Sequence, residues 1–303
     1  MAGAVWSLLG VFSDWEHLAA SLRQISLKRM LLVLGLSSLN YWIRLIRFNW
    51  LTKRVAVAPI KKDINSVIFF SGLSMNLTPG RVGEVVKAFY QQKLFGESAA
   101  RMAPIVLAER LADSLAMLVM IGVGVLSFRM GEEMFLGLLI IVGFIVFILH
   151  RRNLGRKVVE ILAGFPRGRK LAEPFSRLLS SSFNLTGWQP MAVGTLMGVV
   201  AWVFEAAGLW VLFLAAGIDV SIKTFIMTMF IFAAAAAAGF VSIIPGGLGV
   251  NEISTIGLGQ KLLGLGYPDA LVATFAFRAV TLWFGIMLGI MSLMYLERVR
   301  SKE

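Results

Sequence analysis

Long apolar runs with no strand-like alternation dominate the chain. Pro104 to Phe128, Ile222 to Ile244 and Ala270 to Leu296 are each long enough to cross a hydrocarbon core of ~30 Å as a helix. A membrane barrel would show ~10-residue segments alternating apolar and polar positions. These runs are apolar on every face and rich in Leu, Ala, Met and Gly. The pattern predicts an all-α integral membrane protein, a polytopic helix bundle. Two segments depart from simple spans. Ile64 to Thr78 supplies about 15 residues before Pro79-Gly80, short of the ~20 that a full crossing takes. Ile222 to Ile244 is interrupted by Pro245-Gly246-Gly247. Proline removes a backbone donor and glycine relaxes the helix, so both segments predict broken, re-entrant helices that stop in or near the membrane and turn back.

The polar positions set a direction. Arg151, Arg152, Arg156, Lys157, Arg167, Arg169, Lys170 and Arg177 crowd one connection. Arg47, Lys53, Arg54, Lys61 and Lys62 mark a second segment, and Arg298, Arg300 and Lys302 the tail. The connections at 128–134 and 217–225 are nearly bare. By the positive-inside rule the basic segments and the C-terminus are cytoplasmic. Met30 to Trp50 then runs inward, Pro104 to Phe128 outward, Met134 to Leu149 inward, Met191 to Ala216 outward and Ala270 to Leu296 inward.

Composition agrees with a membrane protein: of 303 residues 58% are hydrophobic and 15% charged, with a mean hydropathy of +0.80. The net charge of +12 would fit nucleic acid, but the basic residues interrupt spans instead of covering a soluble face, so lipid headgroups are the expected partners and nucleic acid is not. The chain has no cysteine, which excludes thiolate chemistry and Cys-ligated metals. His17 and His150 have no ligand-spaced partners. No metal site, cofactor or nucleotide loop is expected, and no catalytic motif is present. A cleaved signal peptide is not expected at Met1 to Phe12. Asp14 to Ile25 reads as an interfacial amphipathic helix.

Asn76-Leu-Thr-Pro-Gly-Arg-Val-Gly-Glu84 and Ser242-Ile-Ile-Pro-Gly-Gly-Leu-Gly-Val-Asn-Glu252 share a Pro-Gly break followed by a glutamate. Beyond the break, Gln92-Lys93-Leu94 falls on Gln260-Lys261-Leu262, Gly96 on Gly264, Ala108 on Ala276 and Arg110 on Arg278. On the path above the two breaks are entered from opposite faces, which makes an inverted-topology repeat. The single transmembrane domain, 1–303, divides into halves at about 27–128 and 190–297. A span at 134–149 and a basic cytoplasmic segment at 150–185 join them. In such architectures broken helices from opposite faces meet near the midplane, where freed backbone groups hold a polar substrate.

Charges inside apolar spans cost ~2.5–3.5 kcal/mol each when unpaired at the bilayer centre, so they need partners or a wet cavity. Glu109, Arg110 and Asp113 project along neighbouring faces near the start of one helix and can neutralise one another. Arg278 and Glu205 lie deep in their spans, as functional groups or as one structural ion pair. Arg44 and Arg47 sit near the cytoplasmic end of the first span, where snorkelling and headgroup contact explain them as well as a transport role does.

These features carry a resemblance. Arg44 to Arg47 closes the first span, Leu77-Thr-Pro-Gly-Arg-Val-Gly-Glu84 leads to Lys87-Ala-Phe-Tyr90, and Glu109-Arg-Leu-Ala-Asp113, Pro245-Gly-Gly-Leu-Gly-Val-Asn-Glu252 and Arg278 follow. Over nearly its whole length the chain resembles the flippase-like domain family, the transmembrane half of the lysylphosphatidylglycerol synthases, which also includes stand-alone bacterial and archaeal proteins. The resemblance implies a multi-pass protein of a prokaryotic cell membrane that translocates a lipid between leaflets. That lipid is an aminoacylated phosphatidylglycerol in some members or a polyprenyl-phosphate-linked sugar in others. With the sequence stopping at Glu303, the soluble aminoacyl-transferase activity of the full synthases is not expected. Asn251 stands where members commonly carry an arginine, so their headgroup contact is not expected from it.

The expected translocation site comprises Arg44, Asn76, Pro79, Gly80, Arg81, Gly83, Glu84, Lys87, Glu109, Arg110, Asp113, Glu205, Pro245, Gly246, Gly249, Asn251, Glu252 and Arg278. In it Arg81, Arg110 and Arg278 attract an anionic headgroup, and Glu84, Glu109 and Glu252 balance or gate it. The alternatives are a membrane-embedded lipid-modifying enzyme using the carboxylates as bases, and a scaffold subunit for a separately encoded one. Homo-oligomerisation is left open, with no motif that specifies it.

Overall fold

The computed structural model describes residues 23, 25–57, 59–78, 83–129, 132–150, 164, 185–242 and 244–301. Among them the secondary structure is helical throughout. Helix α1 (Leu27–Val55) opens at Ser26, whose hydroxyl accepts from the Arg29 N–H at 3.4 Å. Helix α2 (Lys62–Leu73) tightens into a 3-10 turn, Ser74–Leu77. After the first break come α3 (Val86–Phe95), α4 (Ala99–Phe128) and α5 (Glu132–His150). The second half holds α6 (Trp188–Ala215), α7 (Ile222–Val241), a 3-10 turn at Pro245–Gly247 and α8 (Val250–Leu263). Helix α9 (Tyr267–Arg278) continues through a π turn, Ala279–Trp283, into α10 (Phe284–Arg300).

Five of these helices are long and apolar enough to cross a membrane: α1, α4, α6, α7 and the continuous Tyr267–Arg300 rod. Large apolar side chains stand on their outer faces, Leu126 at 85% exposure and Met291 at 63%, as a lipid solvent permits. The expected span at Met134 to Leu149 is helical as α5, with Phe135–Phe144 as its apolar stretch. Helix α7 has 20 residues, enough to cross before its Pro-Gly break, because the break follows the helix instead of falling inside it. Helix α2, at 12 residues plus a four-residue turn, is the shorter of the two. Pro79, Gly80 and Arg81, most of the Asp14 to Ile25 segment and nearly all of the 150–185 segment lie outside the described residues.

The packing comes in matched pairs. Helix α1 lies against α6, α10 against α2 as α4 lies against α7, and α3 meets α4 as α8 meets α9. The two 3-10 turns touch each other. Local punctuation matches too. Helices α3 and α8 both end at a glycine in the left-handed region, Gly96 at φ 69° and Gly264 at φ 68°, a conformation that costs glycine no side-chain clash. One apolar core, around Phe48, Phe69 and Ile105, fills the space between α1, α2 and α4. A second, around Phe213, Phe230 and Ile256, does so for α6, α7 and α8.

Helix α10 meets the first break at a glycine. A Cβ on Gly289 would overlap the backbone nitrogen of Ser74 and come 2.7 Å from its Cα, and backbone cannot swing aside as a side chain can. Gly289→Ala is therefore expected to destabilise the detergent-purified protein by about 1–3 kcal/mol, the usual cost of overpacking. Gly257→Ala, in α8 with open space around it, is expected to be neutral or stabilising by up to ~1 kcal/mol. Thermal melts of the two variants side by side check both; equal midpoints would mean that α10 does not approach Ser74 this closely.

Candidate functional site

The chain leaves α2 through its 3-10 turn, and Thr78 folds it back: the Thr78 hydroxyl accepts from the Gly83 N–H at 3.0 Å. Gly83 has to be a glycine, since a Cβ there would stand 2.7 Å from the Thr78 methyl. Glu84 follows at once, 1% exposed. Lys87, one turn on, donates to Glu84 at 3.0 Å and to Glu109 of α4 at 2.6 Å. Its aliphatic stem fits because Gly72 of α2 has no side chain to obstruct it, and its ammonium lies 5.1 Å from the Phe48 ring.

On α4, Arg110 sits 3.4 Å from Glu84 and 3.1 Å from Asp113. Asp113 also accepts from Arg47 at 2.7 Å and from the Trp202 indole at 3.2 Å, and it lies 3.9 Å from Arg44. Three guanidinium groups thus converge on one carboxylate. Arg47 is fully buried. Gly194 and Gly198 of α6 leave room for it, and the Gly194 carbonyl accepts from it at 3.3 Å. Arg44 is 3% exposed and lies 5.0 Å from the Trp202 ring.

The second break is built more simply. Gly246, Gly247 and Gly249 all have positive φ, at 64°, 63° and 87°, which permits a reversal that side chains would strain. Glu252, 0% exposed, caps the new helix by accepting from the Gly249 N–H at 2.7 Å. Arg278 donates to Glu252 at 2.6 Å and to the Gly246 carbonyl at 2.9 Å, so one guanidinium ties the two sides of the break together. Pro245 opens the turn, and Asn251 packs beside Gly239 of α7. Past Arg278, the Thr281 carbonyl of the π turn accepts from the Tyr41 hydroxyl at 2.6 Å as well as from the Phe284 N–H.

The breaks meet. A Cβ on Gly246 would stand 2.9 Å from the Leu77 side chain and 3.7 Å from the Asn76 carbonyl. The Asn76 side-chain oxygen is buried there without a hydrogen-bond partner among the described residues. Of the expected site residues the structure brings Arg44, Glu84, Lys87, Glu109, Arg110 and Asp113 into one network and Gly246, Gly249, Glu252 and Arg278 into another. Glu205, on α6, accepts from the Ser37 hydroxyl at 3.3 Å. Arg278 and Glu205 are not the structural pair that their depths suggested. Nor does Arg47 snorkel, because α1 continues eight residues past it to Val55 and carries it inward.

Sequence reasoning left Arg47 and Trp202 out of the site. The signal was available in α1, where Ser37, Asn40, Tyr41, Arg44 and Arg47 recur at helical spacing and form one polar stripe. In a membrane helix such a stripe faces protein.

The model of the lysylphosphatidylglycerol synthase transmembrane region matches residues 1–289. The chain belongs to this family. Among curated proteins, a UPF0104 membrane protein of Methanothermobacter thermautotrophicus is 25% identical over 76% of this chain and 73% of its own length. Another, from Methanocaldococcus jannaschii, is 22% identical over 75% of this chain and 96% of its own. Family membership and the five long apolar helices together make this an integral membrane protein of a lipid-related family.

Proposed function

We propose that this protein moves a lipid with an anionic or modified headgroup between leaflets of a prokaryotic cell membrane, with its C-terminus in the cytoplasm. An aminoacyl-phospholipid and a polyprenyl-phosphate-linked sugar are the two substrate classes that fit. The observation that carries the reading is the meeting of two backbone breaks, one from each half, beside a buried charge network. A lipid headgroup needs a polar path through hydrocarbon, and broken helices lining charged side chains are the way membrane proteins build one. With no nucleotide loop in the sequence, direction comes from a lipid gradient, the membrane potential or protons.

Transport is favoured over catalysis by the state of the carboxylates. Glu84, Glu109, Asp113 and Glu252 each lie against a cation, which suits charge compensation and works against a free base.

The test is leaflet exchange of fluorescent lipids in liposomes holding the purified protein. Phosphatidylglycerol is expected to exchange faster than in empty liposomes, and Arg110→Gln to slow it at least tenfold. Absence of exchange for phosphatidylglycerol, aminoacylated phosphatidylglycerol and polyprenyl-phosphate carriers alike would sink the transport reading. In that case co-purification with a lipid-modifying enzyme would point to a scaffold.

A further inference from the structure

The two halves are not chemically equivalent. In the register that superposes Glu84 on Glu252 and Arg110 on Arg278, Lys87, Glu109 and Asp113 fall on Thr255, Phe277 and Thr281. The second half keeps one carboxylate and one guanidinium, hydrogen-bonded to each other and to the backbone of the break. Its charges cancel, and Arg278 commits its Nε and one terminal nitrogen to the break.

The first half differs on both counts. Arg44, Arg47, Lys87 and Arg110 face Glu84, Glu109 and Asp113, four cations against three carboxylates among the described residues. Among the described residues, the Nε groups of Arg44, Arg47 and Arg110 are buried without a hydrogen-bond acceptor. Arg44 is the weakest held: its one carboxylate contact is at 3.9 Å, and its other neighbour is the face of Trp202. A buried excess of positive charge with unused planar donors is what an oxyanion would complete, and guanidinium forks match phosphate oxygens in pairs.

We infer that the first-half cluster is a phosphate-binding site, in which Arg44 and Arg110 take the oxyanion next to Asp113 and Trp202, while in the second half Arg278 and Glu252 latch their own break. The inference deepens the transport reading and rests on it only in placing this site on the lipid's route. The side chains are closed on one another here, so the anion enters as Arg44 and Arg110 move off their shared carboxylate.

Two probes separate the sources of the phosphate. The full chain in a neutral detergent is titrated calorimetrically with inorganic phosphate, and in parallel with short-chain phosphatidylglycerol against phosphatidylcholine. Binding of either anion supports the site: phosphate alone marks a soluble-anion site, and phosphatidylglycerol alone a headgroup site. Arg44→Gln is expected to weaken that binding at least tenfold with an unchanged elution profile; an unchanged affinity overturns the inference. Should Arg44→Gln fail to fold, Arg44→Lys keeps the charge without the fork and is expected to lose threefold or more, with full affinity overturning the inference. Wild-type protein that binds neither anion also overturns it. Phosphate binding without leaflet exchange would sink the transport reading and leave the site standing. Exchange without binding would do the reverse.

Discussion

Asp113→Asn is expected to destabilise the protein by about 3–5 kcal/mol, the cost of removing one partner from a buried ion pair. The substitution keeps the shape and one acceptor oxygen but turns the other into an amide donor facing guanidinium N–H groups, so the loss combines charge with a donor set against donors. Arg47 at 2.7 Å, Arg110 at 3.1 Å and Arg44 at 3.9 Å all lean on this carboxylate, and Arg47 has no exposed surface through which to recruit water. Thermal unfolding in detergent, followed by light scattering, measures the loss. Combining Asp113→Asn with Arg47→Met removes a charge from each side of the closest pair and should recover part of the stability, because apolar replacement of a whole buried pair is often neutral. A single variant within about 1 kcal/mol of wild type would mean that the three arginines do not depend on Asp113.

Much of this arrangement could be read from the sequence because membranes make polar residues conspicuous. The spans followed from apolar length, the breaks from Pro-Gly, and the charged positions of α4 from their rarity. At the positions the expected repeat equates, Glu84 lies 3.4 Å from Arg110 and Glu252 2.6 Å from Arg278. The helix ends and partner choices were less legible. The sequence predicts a first span over Met30 to Trp50 with Arg44 and Arg47 near its cytoplasmic end, whereas the helix runs to Val55 and Arg47 is buried. The partner of Arg278 is Glu252, which sits across a break whose folded shape depends on three positive-φ glycines. Linear spacing does not encode that shape. Likewise Trp202 looks like one more apolar residue of α6 until α4 brings Asp113 to its indole.

The second large effect is expected at the latch. Arg278→Gln leaves Glu252 buried with only the Gly249 N–H as a donor, and leaves the Gly246 carbonyl without the guanidinium that now reaches it at 2.9 Å. The predicted cost is again about 3–5 kcal/mol, and it should be local: amide hydrogen exchange should accelerate from Ile244 to Glu252 before it does in α4 or α6. Arg278→Lys retains a charge for Glu252 but has no fork to span carboxylate and carbonyl together, so it should fall between. The repeat supplies the control. Arg110→Gln changes the equivalent residue, yet Arg110 is 15% exposed and meets Glu84 and Asp113 through one terminal nitrogen, at 3.4 and 3.1 Å, with no aligned hydrogen bond from that atom or from Nε among the described residues, and both carboxylates keep another cation, so less depends on it. Its stability loss should be under half that of Arg278→Gln. That ordering is what a held latch in one half and an unsatisfied cation cluster in the other require. Equal losses would mean that the two halves are built alike in energy as well as in sequence, and that the guanidinium at Arg110 is as fully used as the one at Arg278.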